Sequence, residues 1–91
     1  MVEQIEGKWF SDSGQEHYIE ALNDKKLKVT SSFSSNDLPV YSGQILTMST
    51  DNEQLFEKRL EYSKLTLEII DNETVLLKNK TKEEKIFKVV K

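Results

Sequence analysis

Leu65, Leu67 and Ile69 alternate with Lys64, Thr66 and Glu68, and after Asp71-Asn72-Glu73 the residues Val75 and Leu77 alternate with Thr74 and Leu76. A period of two with one apolar face, interrupted by a short polar turn, predicts a β-hairpin over Lys64 to Asn79. Its inward residues Leu65, Leu67, Ile69, Val75 and Leu77 are the first candidates for a core.

The same period recurs along the chain. Ile5, Gly7 and Trp9 oppose Glu6, Lys8 and Phe10, which predicts a first strand from Ile5 to Phe10, closed by the turn formers Ser11-Asp12-Ser13-Gly14. A second strand is expected from Glu16 to Leu22 and a third from Leu27 to Phe33, joined as a hairpin through Asn23-Asp24-Lys25. Ser34 to Pro39 lacks periodicity and holds the only proline, so it reads as a mobile rim loop. Val40 to Met48 reads as a fourth strand, with Gly43 at a position where a bulge or bend often sits.

Gln54 to Ser63 is ambiguous, because Leu55, Phe56, Leu60 and Tyr62 suit a helix as well as a strand. Between hairpins a fifth strand is the better reading. It places Phe56, Leu60 and Tyr62 on one side, with Lys58 intruding. The final strand carries Phe87 and Val89 in alternation with Ile86 and Lys88. Seven to eight short strands with connections of a few residues predict an antiparallel meander. Closing that meander on itself hides both edges and the apolar face, so the expected fold is all-β, a small up-and-down or half-open β-barrel forming one domain over residues 1–91.

Composition narrows the object more than its role. Hydrophobic residues are 36% of the chain and charged residues 32%, enough to fold and lean enough to predict a thin core. A net charge of -3 provides no positive footprint for phosphates, so nucleic acid is not an expected partner. Cysteine is absent, which removes disulfides and thiolate metal sites. No apolar run approaches the length of a membrane-spanning helix, and the N-terminal residues do not form a signal peptide. The compartment is unknown: cytoplasmic as the sequence stands, or cell surface if a leader was removed.

Candidate chemistry is sparse. His17 is the only histidine, is expected as a solvent-facing strand residue, and would need a nearby acid to serve a hydrolase or isomerase. Asp51-Asn52-Glu53 and Asp71-Asn72-Glu73 lack the alternating ligands and central glycine of a calcium loop and read as turns. No cofactor and no metal site are expected, and no catalytic residue is assigned. Among the aromatic residues, most are expected to fill the core, while Trp9, Tyr18, Phe33, Tyr41 and Tyr62 are also candidates to line a site at a barrel mouth.

Ile5-Glu6-Gly7-Lys8-Trp9 near the start, the meander, and Lys85-Ile86-Phe87-Lys88-Val89 at the end resemble the plan of short bacterial lipocalin-like (calycin-type) domains, whose first strand carries Gly-x-Trp. The resemblance implies a barrel whose tryptophan packs across the closed end against a basic residue from a late strand. Arg59, the only arginine, would be that partner and joins the candidate binding residues. The chain is shorter than a full lipocalin and shows no C-terminal helix pattern, which implies a shallow mouth rather than a roomy cavity. The expected function is a non-enzymatic binding domain for a protein partner or small apolar ligand. The alternative is a small inhibitor of a host protein encoded by a phage or mobile element. A monomer is expected, or an edge-paired homodimer if the first and last strands fail to close.

Overall fold

In the computed structural model, residues 2–35, 38–79 and 82–89 are described. The alternating stretches become eight strands: β1 Gly7–Ser11, β2 Glu16–Asn23, β3 Lys26–Ser35, β4 Leu38–Met48, β5 Leu55–Arg59, β6 Lys64–Ile69, β7 Thr74–Lys78 and β8 Glu83–Lys88. Each strand pairs antiparallel with its neighbours in sequence, and β1 pairs with β8, closing the barrel. The closing register sets Trp9 against Lys88, Phe10 against Phe87 and Ser11 against Ile86. The edges that would have paired two copies through β1 and β8 are therefore consumed within the chain.

The inward positions of every strand meet in one core of Trp9, Ile19, Leu27, Val29, Leu46, Phe56, Leu67, Val75 and Ile86, with Ile5 closing one end. In the β6–β7 hairpin Leu67 and Val75 are buried, while Leu65, Ile69 and Leu77 are half-buried against that core. Gln54 to Ser63 resolves as a strand over Leu55–Arg59, since its backbone is taken up by pairing with β6 from Leu55↔Glu68 to Arg59↔Lys64.

Several expectations are corrected. Ile5 is not in the first strand; Val2–Ile5 forms a 3-10 turn, from which Ile5 plugs the barrel end and accepts the Trp9 Nε1–H through its carbonyl at 2.9 Å. The expected rim loop is mostly strand: β3 and β4 pair through Ser34↔Pro39 and Ser35↔Leu38, and Asn36 and Asp37 lie outside the described residues. Proline is compatible with this ladder because its backbone nitrogen faces away from β3. The amide of Met48 donates to Lys25 on the β3 side, and alternation along the unbroken register turns Pro39 the other way.

Gly43 makes no bulge, since the β3–β4 register runs through it without a shift. Its missing side chain instead clears room for Lys28, whose Cε would lie 2.8 Å from a Cβ at that position. The register irregularity falls elsewhere, between Ala21 and Asn23 on β2.

Ladder lengths are unequal, and this shapes the barrel. The β3–β4 ladder runs from Lys26↔Thr47 to Ser35↔Leu38, whereas β4 meets β5 only at Thr47↔Glu57 and Met48↔Phe56. Beyond those pairs β4 and β5 separate, and the interval is bridged by side chains, Lys58 Nζ donating to Gln44 Oε1 at 2.7 Å. The barrel is thus hydrogen-bonded around its circumference at the Ile5 end and split along one seam toward the other.

Candidate binding site at the barrel mouth

The split end is where the interior opens. The strands deliver inward residues to this end: His17 from the start of β2, with Gln15 just before it, Val29, Ser31 and Phe33 from β3, Ser42 and Gln44 from β4, Leu65 and Leu77 from β6 and β7, and Glu84 from β8. With Leu60, Asn79 and Lys82 they line a cavity of about 250 Å³. Valine and leucines form its walls, and the polar groups gather on the side of β2, β3, β4 and β8.

His17 is the most informative of these residues. It is only 1% exposed, which corrects the expectation of a solvent-facing histidine. The reason is parity: His17 lies directly across the ladder from the inward Trp9, so the same pleat carries both into the barrel. The mixed apolar character of both faces of β2 concealed this. Its Nδ1 is 2.7 Å from Ser31 Oγ, and its Nε2 is buried with no hydrogen-bond partner among the described residues. Burial depresses the imidazole pKa; the nearby Glu84 carboxylate opposes that shift, and the Lys82 ammonium adds to it. The ring is therefore chiefly neutral at pH 7.

Glu84 is held on the same side. Burial pushes its carboxyl pKa up, but the Ser11 hydroxyl, the Lys82 ammonium and the Ser13 hydroxyl together outweigh burial and hold it below the usual carboxylate range. Ser13 Oγ donates to Glu84 Oε1 at 3.2 Å, and Lys82 Nζ lies 3.5 Å from the other carboxylate oxygen. The ionised carboxylate is thus neutralised locally. Its hydrogen bonds run to these groups while those of His17 run to Ser31, so no acid is bonded to the imidazole among the described residues.

The aromatic candidates do not converge. Of Trp9, Tyr18, Phe33, Tyr41, Arg59 and Tyr62, only Phe33 lines the cavity. Trp9 is fully buried and turned toward Ile5. Tyr18 and Tyr41 sit at outward positions of β2 and β4 with ring centroids 6.4 Å apart, and Tyr62, in the β5–β6 turn, is 81% exposed. Arg59 is exposed at the end of β5, and the basic residue paired with Trp9 is Lys88, whose Nζ donates to the Gln4 carbonyl at 2.8 Å.

The expectation that aromatic bulk fills the core holds for Trp9 and Phe56; Tyr18, Tyr41 and Phe87 lie at outward positions and are exposed, and Phe33, though inward, is exposed at the open mouth. Sequence reasoning missed Gln15, Ser31, Gln44 and Glu84. For Ser31, Gln44 and Glu84 the only signal was parity with inward apolar residues of their strands, which a polar side chain does not reveal by itself.

The acidic turns lie at or near the opposite end and behave as turns. Asn52 Oδ1 accepts from the Gln54 amide and Asp71 Oδ1 from the Glu73 amide, at 2.9 and 2.8 Å. Among the described residues no group of three or more histidines and acids could hold a metal ion, and no helix is long and apolar enough to cross a membrane.

What fold and site define together is a closed, eight-stranded antiparallel up-and-down barrel with a small half-apolar cavity at its split end. Comparisons with protein-family models, curated proteins and solved structures gave no match for this chain.

Proposed function

We propose that this protein is a non-enzymatic binding domain, lipocalin-like in plan, that holds a small apolar or amphipathic molecule in its barrel mouth. The observation that carries this reading is the cavity of about 250 Å³, walled by Val29, Leu65 and Leu77 and supplied with a few convergent polar groups. Its size is below the range of drug-sized sites and above the roughly 150 Å³ that accommodates benzene in a protein interior. Toluene and indole are therefore suitable probes.

In ¹H–¹⁵N spectra of the full chain, these probes are expected to shift amides of Val29, Ser31, Leu65 and Leu77 together, saturably. Leu77→Phe, which adds volume to the wall, is expected to abolish those shifts at a stability cost of about 1–3 kcal/mol. Shifts scattered over the outer surface, or unchanged in Leu77→Phe, would refute the cavity reading.

A second reading is recognition of a protein by the outer face, as an inhibitor would use. It is favoured by the outward Tyr18, Tyr41 and Phe87, all exposed, with Lys8 Nζ 5.9 Å from the Tyr18 ring centroid. Replacing Tyr18 and Tyr41 with serine distinguishes the two: binding of a captured protein is lost under this reading, whereas the toluene-induced shifts of the cavity amides are retained under the first.

A further inference from the structure

Among the described residues the barrel leaves one buried side-chain polar atom of the cavity lining without a partner. His17 Nε2 is buried, belongs to an inward-facing residue that lines the cavity, and has no partner among the described residues, although Nδ1 of the same ring is fully engaged by Ser31 at 2.7 Å. A buried polar atom without a partner is destabilising, so a molecule that supplies one is stabilised on entry.

Which group suits it follows from the Ser31 contact. If Ser31 donates to Nδ1, the proton is on Nε2, which is then a donor; if Nδ1–H donates to Ser31, Nε2 accepts. A carbonyl satisfies only the first arrangement and an amide N–H only the second. A hydroxyl satisfies both, since it is donor and acceptor at once.

The charge of the ligand follows from β8 and its approach. Glu84 and Lys82 line the same cavity 3.5 Å apart, so a bound anion would face the carboxylate and a bound cation the ammonium. Among the described residues Lys58, which approaches the cavity at Gln44, is committed to that side chain. The remaining wall, Val29, Leu60, Leu65 and Leu77, is apolar.

We infer that the mouth cavity selects a small uncharged molecule with an apolar body and one hydroxyl group, of the phenol type, whose hydroxyl pairs with His17 Nε2. This rests on the cavity reading above and adds the ligand's chemistry to it. His17 is a binding residue in this account, and Ser31 positions it by fixing the ring.

The test compares p-cresol with toluene, which has the same ring and methyl but no hydroxyl, and with benzoate, using calorimetry and imidazole ¹⁵N spectra of the full chain. p-Cresol is expected to bind about tenfold tighter than toluene and to move the His17 Nε2 resonance, which toluene leaves in place. In His17→Phe the preference for p-cresol over toluene is expected to fall to about onefold; should that variant fail to fold, His17→Leu and the wild-type imidazole spectrum give the same discrimination. Equal binding of toluene and p-cresol with an unmoved His17 signal would overturn this inference and leave the apolar cavity reading intact. Benzoate binding more tightly than p-cresol would overturn the uncharged class. No saturable binding by any of the three up to about 10 mM would overturn the inference together with the reading it rests on.

Discussion

At the residue scale, His17 has a consequence for folding separate from binding. Its pKa is depressed in the barrel because burial disfavours the imidazolium. Below the ordinary histidine value the unfolded chain takes up a proton that the folded chain resists, so stability falls as pH drops through that value and levels once the folded imidazole also protonates. Glu84 acts in a lower window: its folded pKa is depressed, so the stability it contributes is present above the ordinary carboxylate value and is lost as pH falls toward the folded one. Urea denaturation between pH 7.5 and 5.5 should therefore show wild-type stability declining on acidification. In His17→Gln that decline should be absent, and both proteins should weaken further below about pH 4.5. A wild-type profile parallel to that of the variant would show that the imidazole is not desolvated in the folded protein.

At the scale of single elements, the unequal ladders of β4 make a prediction about exchange. Residues whose backbone groups face β3 are paired along the whole strand, whereas those facing β5 lose their partners beyond Thr47 and Met48. By the alternation that orients Met48 toward Lys25, the amides of Tyr41, Gly43 and Ile45 face the seam and those of Ser42, Gln44 and Leu46 face β3. Hydrogen exchange of the first set should be faster than that of the second by at least about tenfold, and Lys58→Met, which removes the bridge to Gln44, should widen the difference. Equal protection of both sets would mean that β4 and β5 are paired further along than the register indicates.

Such detail also marks how far the amino-acid pattern reached. Strand identity and core were legible wherever one face was cleanly apolar, as in the β6–β7 hairpin, and closure followed from the need to cover that face. Three things were hidden. His17 shared its stripe with Ile19 and Ala21, but Tyr18 and Leu22 on the other face of β2 hid which side was inward, and the serines of β3 looked like loop although their backbone pairs fully. The exposed aromatics were hidden too, because large apolar side chains are read as interior and Tyr41 and Phe87 occupy outward pleats.

At the scale of the whole molecule, seven of the pairings join consecutive strands, while β1–β8 joins the two ends of the described chain. Consecutive hairpins close short loops, and the final pairing must restrict nearly the entire chain, so its entropy cost is the largest. Residues of the closing seam should accordingly become structured late. Ile86→Ala, in β8, is expected to destabilise the protein by about 2–5 kcal/mol and to act mainly on the unfolding rate. Leu67→Ala, in the β6–β7 hairpin, is expected to cost a similar amount but to slow folding. Stopped-flow chevron plots separate the two, and a φ-value near one at Ile86 would show that the ring closes before its hairpins are set.

The split between β4 and β5 gives the barrel an uneven stiffness. A fully laced ring can change its bore only by breaking backbone bonds, but here β4 and β5 pair only through Thr47 and Met48, and among the described residues the Lys58–Gln44 hydrogen bond fastens the wall beyond them, so that side can flex as a cuff does. The interior can therefore widen on the side of Ser42 and Gln44 while the core around Phe56 and Leu67 keeps its shape, and the bore of the mouth is set by that clasp rather than by the packed floor beneath it.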